Sequence, residues 1–79
     1  FINTRKEDVI RALSSLGNVR QVITMDGVKV VFNDGSWILT RGSGTEPKLR
    51  IYAETSSPEK TRELLKQASS AITALNKNN

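Results

Sequence analysis

The chain contains no cysteine and no histidine. The first absence excludes a disulfide framework and thiolate metal sites. The second removes the commonest metal ligand, which is also the side chain best suited to general acid–base work at neutral pH. Aromatic residues are 5% of the sequence, and no segment interleaves them with basic residues as a base-stacking surface requires. No apolar run approaches the roughly 20 residues that span a bilayer. The opening Phe1-Ile2-Asn3-Thr4 lacks the apolar stretch of a secretory signal. It also lacks an initiator methionine, so the chain is expected to begin inside something longer, with the polar Asn76–Asn79 as its natural end.

What is present is ordinary for a globular protein. The 79 residues predict one small domain, residues 1–79, near the lower end of comfortable independent folding. A hydrophobic content of 37% and a charged content of 25% do not indicate disorder. Twelve lysines and arginines against eight acids leave a net charge of +4. Such a mildly basic surface fits an anion site as well as a nucleic-acid face.

Six elements are legible. Thr4 and Glu7 have the spacing of a capping box, with Val9, Ala12, Leu13 and Leu16 behind them at helical intervals and Gly17 as the stop, so a helix is predicted over 5–16. Val19–Thr24 alternates and reaches the hairpin signal Met25-Asp26-Gly27, after which Val28–Phe32 is a second strand. Asn33-Asp34-Gly35 turns the chain into Ser36–Thr40, and a fourth strand is predicted over Lys48–Thr55. In that strand Leu49, Ile51 and Ala53 share one face, while Lys48, Arg50, Tyr52 and Glu54 share the other. Trp37 and Phe32 are expected in sheet packing, and Tyr52 either buttresses Arg50 or is a half-exposed sheet tyrosine. Ser57-Pro58-Glu59 starts a second helix, whose stripe is Leu64, Leu65, Ala68, Ala71, Ile72 and Leu75. The economical assembly is an α+β two-layer domain: a four-stranded antiparallel meander with two helices on one face.

One stretch stands apart, Arg41-Gly42-Ser43-Gly44-Thr45-Glu46-Pro47, leading into Lys48-Leu49-Arg50-Ile51-Tyr52-Ala53-Glu54. Ser43 and Thr45 offer hydroxyl donors, and Gly42 and Gly44 let the backbone approach a ligand closely. Successive amides of such a loop can converge on an anion, and Arg41 and Arg50 add planar forks suited to phosphate oxygens. The same composition also describes a plain turn. It is not a nucleotide-binding P-loop, because the G-x-x-x-x-G-K-[ST] spacing is missing and Pro47 leads into a strand. Glu46 must point away from a bound phosphate or pair with Lys48 or an arginine.

The stretch Arg41–Glu54, with the preceding Asp34-Gly35-Ser36-Trp37-Ile38-Leu39-Thr40, closely resembles the phosphate-binding loop of the C-terminal domain of the α-D-phosphohexomutases. The family pattern is R-x-S-G-T-E-P followed by a strand of the type x-[LIV]-R-[LIVF]-Y-x-E, and only Gly42 occupies a variable position. The resemblance implies a TATA-binding-protein-like layer of sheet and helices. Any strand before the first helix would lie upstream of, or at, Phe1-Ile2.

The parent enzyme implied is a cytoplasmic isomerase that interconverts hexose 1-phosphate and hexose 6-phosphate. It would work through a phosphoserine, a bound Mg²⁺ and a bisphosphorylated sugar. The serine loop, the metal-binding aspartates and the sugar-specificity loop of the family belong to three upstream domains. Ser14, Ser15 and Ser43 lie in no such serine loop, and Asp8, Asp26 and Asp34 are not spaced as metal ligands. The chain is therefore expected to carry neither nucleophile nor metal site. Arg41, Ser43, Gly44, Thr45 and Arg50 are the expected phosphate contacts, and the expected partners are the sugar phosphate and the upstream domains, with no nucleic acid or membrane. A small single-stranded RNA-binding module and a regulatory α+β module remain alternatives.

Overall fold

The computed structural model describes residues 6–42 and 49–77. In chain order the elements are α1 (Lys6–Ser14), β1 (Val19–Ile23), β2 (Val28–Phe32), β3 (Trp37–Gly42), β4 (Leu49–Glu54) and α2 (Pro58–Lys77). The four strands form one antiparallel sheet in the order β1-β2-β3-β4. Short turns that join successive strands leave a meander as the simple solution.

Helix α1 carries Glu7 and Asp8 in its first turn and Arg11 in its last, the arrangement that complements the helix dipole. The expected capping box includes Thr4, which lies outside the described residues. The helix stops two residues before the expected Leu16. There the Leu16 amide donates to the Leu13 carbonyl at 3.1 Å, a tighter turn that closes the helix. Gly17 follows because Phe32 leaves no room for more, since a Cβ there would stand 2.9 Å from the Phe32 ring. Helix α2 begins as expected. The Ser57 Oγ accepts the Lys60 amide at 3.2 Å, with Pro58 at the first helical position.

Strand β2 alternates strictly, with Val28, Val30 and Phe32 buried and Lys29 and Val31 only partly so. Between Val19 and Gln21 the β1–β2 register shifts, so Arg20 is the extra residue of a bulge. The helices cover β2, β3 and β4. The core joins Val9 and Leu13 of α1, Val28, Val30 and Phe32 of β2, Ile38 of β3, and Ala68 and Ile72 of α2. Ala12, Leu65 and Ala71, placed on apolar stripes by their spacing, are half-buried and lie outside that cluster. Phe32 is core, as expected, and at the other end of β2 the buried Thr40 donates from Oγ1 to the Val28 carbonyl at 3.4 Å.

Ile38 is wholly buried at the centre of the sheet. The Ile38→Ala substitution is expected to destabilise the chain by about 2–5 kcal/mol, read as a lower urea midpoint. Val22→Thr at the exposed edge should cost about 0.5 kcal/mol or less. Equal losses at the two positions would contradict this placement of the core.

Candidate functional site

Strand β3 does not end at Thr40. It continues through Arg41 and Gly42, which pair with Arg50 and Leu49 of β4. The first two residues of the glycine-rich stretch are therefore strand, and the ladder fixes both ends of the connection between β3 and β4. Ser43, Gly44 and Thr45, together with Glu46 and Lys48, fall outside the described residues. Of the five expected contacts, the structure brings together Arg41 and Arg50.

It does so by register. Ile38 and Thr40 pair with Ala53 and Ile51 on the face that meets the helices. Alternation then sends Arg41, Leu39 and Trp37 to the other face, opposite Arg50, Tyr52 and Glu54 respectively. Two arginines thus stand directly across from each other at the base of the loop, both exposed. Facing like charges are unfavourable by themselves. Part of this is relieved by Asp26, whose Oδ2 lies 3.1 Å from the Arg41 Nη2.

No residue pattern announces that ion pair, because Asp26 sits at the tip of a different hairpin. Two residues in left-handed conformations form the tip, Asp26 with φ 56° and Gly27 with φ 115°. Any Cβ at Gly27 would collide with the Thr40 carbonyl oxygen, so the tip lies hard against β3 beside Arg41. Gly42 differs, since a Cβ there would meet nothing within 4 Å. Among the described residues neither packing nor a positive φ demands that glycine.

On the rest of the open sheet face Lys29 Nζ stands 4.5 Å from the centre of the Trp37 ring, a cation–π contact. Trp37 is thus sheet-face packing, as expected, and Tyr52 is 43% exposed opposite Leu39. A separate cleft of about 440 Å³ opens at the other end of β3, between Asn33, Ser36, Phe32 and the α2 residues Lys60, Leu64 and Gln67. Its rim includes Asp34, whose carboxyl is held below the usual range by hydrogen bonds from the Ser36 hydroxyl and then the Ser36 amide. That carboxylate ties down a turn, and the cleft gathers no catalytic set. Among the described residues no three histidines, cysteines or acids cluster as metal ligands. Asp26 and Asp34 are each engaged, one by Arg41 and one by Ser36.

The facing arginines have a measurable consequence for stability. Arg50→Gln is expected to leave stability unchanged or to raise it by up to about 1 kcal/mol. Any gain should shrink between roughly 0.01 M and 1 M ionic strength, as screening takes over. Urea unfolding at both ionic strengths checks this, and a clear loss of stability would show Arg50 to be a structural anchor.

Comparison with known proteins agrees with the motif. The family described as phosphoglucomutase/phosphomannomutase, C-terminal domain, matches residues 2–71. A phosphopentomutase of Thermococcus kodakarensis is 44% identical over 69 residues, which is 87% of this chain and 15% of that protein. A phosphoglucomutase/phosphomannomutase of the same organism is 53% identical over 45 residues, 57% of the chain and 10% of the relative. A probable phosphoglucosamine mutase of Methanosphaera stadtmanae is 39% identical over 62 residues, 72% of the chain and 14% of the relative. The chain therefore spans only a small part of the length of these proteins. With the family matched across nearly all of it, the chain belongs to the phosphoglucomutase/phosphomannomutase C-terminal domain family.

Proposed function

We propose that this chain is the part of a sugar-phosphate mutase that grips the phosphate not undergoing transfer. The observation that carries the reading is the pair of exposed arginines, Arg41 and Arg50, facing each other at the base of the glycine- and hydroxyl-rich loop. Two guanidinium forks on one face can share one phosphate, and binding an anion turns their mutual repulsion into a favourable contact. Ser43, Gly44 and Thr45 complete the proposed site from the loop.

The names of the relatives support a site that recognises phosphate and ignores the sugar. They cite pentose, glucose, mannose and glucosamine, sugars that differ in chain length or at carbon 2 and have a phosphate in common. In the parent enzyme, proposed to be a cytoplasmic phosphohexomutase, holding the remote phosphate gives binding energy that orients the reacting hydroxyl. The same grip serves either end of a bisphosphorylated intermediate. Closure of the domain over the cleft would keep water from the phosphoenzyme.

Nucleophile and Mg²⁺ are assigned in this reading to residues outside this chain, which spans only 10–15% of the relatives' length. Mg²⁺, when bound there, would offset charge on the transferring phosphoryl group. The isolated chain is accordingly proposed to bind without catalysing, with the sugar phosphate and the upstream domains as its partners. As an RNA module it would need several stacking aromatics, yet on the open face Trp37 is half-buried beneath Lys29, which leaves Tyr52 as the exposed aromatic among the described residues.

A charge-assisted phosphate contact contributes roughly 1.5–3 kcal/mol. In the mutase that carries this chain, Arg41→Ala is expected to raise KM about tenfold to a hundredfold. Steady-state kinetics with the sugar phosphate checks this, and an unchanged KM would contradict the assignment.

A further inference from the structure

Asp26 has no place in the phosphate-binding stretch, yet its carboxylate touches Arg41. Three observations converge on it. The Asp26 Oδ2 to Arg41 Nη2 distance is 3.1 Å. The backbone at Asp26 and Gly27 is left-handed at both residues, which holds the hairpin tip in a sharply defined shape. The tip is seated against the Thr40 carbonyl so closely that Gly27 cannot carry a side chain. A carboxylate on a seated turn thus meets an arginine on the strand beneath it.

From this we propose that Asp26 is a positioning residue: it holds the Arg41 guanidinium on the open face of the sheet, so that the fork is already oriented when a phosphate arrives. The proposal rests on the phosphate reading of Arg41 but adds a residue which that reading does not contain. Its physical basis is the rotamer freedom of arginine. A free side chain must be ordered on binding, and one tethered by a partner has less freedom left to lose. Guanidinium carries five N–H donors, so an edge given to the carboxylate leaves others for a phosphate.

The opposing effect is charge. A carboxylate beside the site repels a phosphate, so a neutral substitution at Asp26 alters charge and tether together. The two separate when variants of equal charge are compared. Asp26→Asn keeps an oxygen acceptor for Arg41, and Asp26→Gly removes it. Both residues accept the left-handed backbone that position 26 adopts.

The test uses the 79-residue chain, isotopically labelled, with inorganic phosphate as the probe. Relaxation of the Arg41 Nε–Hε signal reports side-chain order before any ligand is added, and chemical-shift titration gives the phosphate affinity. Arg41 is expected to be ordered in the parent chain and in Asp26→Asn, and to lose order in Asp26→Gly. Phosphate binding is expected to be about two- to fivefold weaker in Asp26→Gly than in Asp26→Asn, the range set by an exposed ion pair. Thermal melts of the two variants show whether each is folded. A third variant, Asp26→Ser, with a shorter acceptor, is expected to leave Arg41 less ordered than Asp26→Asn and more ordered than Asp26→Gly, so it supplies a comparison with whichever of the two folds.

Arg41 order that is the same in all variants would overturn the proposal, as would equal phosphate affinity in Asp26→Asn and Asp26→Gly. If the parent chain shows no phosphate response at Arg41, the phosphate reading fails. The order measurement still decides whether Asp26 holds the side chain.

Discussion

The site depends on one constraint, the antiparallel register of β3 against β4. Because side chains alternate, fixing Ile38 and Thr40 toward the helices leaves Arg41 no choice of face, and the partner strand delivers Arg50 opposite it. A slip of one residue would turn Arg41 into the core and Thr40 out to solvent. The core forbids that slip. Ile38 is wholly buried among Val30, Leu13, Ala68 and Ile72, and Thr40 has its hydroxyl on the Val28 carbonyl. The apolar packing of the fold thereby fixes the place of two exposed cations that it never touches.

Those cations sit in an arrangement that does not favour the unliganded protein. Cross-strand like charges cost stability, and among the described residues one exposed carboxylate, 3.1 Å from Arg41, opposes that cost. Local consistency fails at this point of the sheet, whereas it holds at the neighbouring pairs, Leu39 with Tyr52 and Trp37 with Glu54. Such local conflicts are expected where a protein is shaped for a ligand. Gly42, where a Cβ would meet none of the described residues within 4 Å, lies at the same spot.

Much of this was legible in the residues. Alternation in Val28–Phe32, the Asp-Gly turn pairs, and Ser57 with Pro58 at the start of α2 each carry a local cause, and each element formed where that cause lay. The α+β meander with helices on one face followed from counting apolar faces that had to be covered. The motif named Arg41 and Arg50, and the fourth strand's alternation put Arg50 on the face away from the core. Less legible were features set by contacts between distant residues. The extension of β3 through Gly42 depends on pairing with β4. The half-burial of Ala12, Leu65 and Ala71 depends on how each helix is rotated over the sheet. Asp26 reads as an ordinary turn residue, and its meeting with Arg41 depends on where one hairpin tip lands on another strand.

In the proposed role, this face and its loop recognise a phosphate whatever sugar carries it. The most direct measurement is an amide and arginine side-chain chemical-shift titration of the chain. The ligands would be a hexose phosphate, inorganic phosphate, the free hexose and a short single-stranded RNA. Shifts are expected to be confined to Arg41, Arg50 and the 42–46 backbone, similar for the sugar phosphate and for phosphate alone, and absent with the free hexose. Shifts that follow the sugar, or a response to RNA spread across the open sheet with none to phosphate at the two arginines, would contradict it.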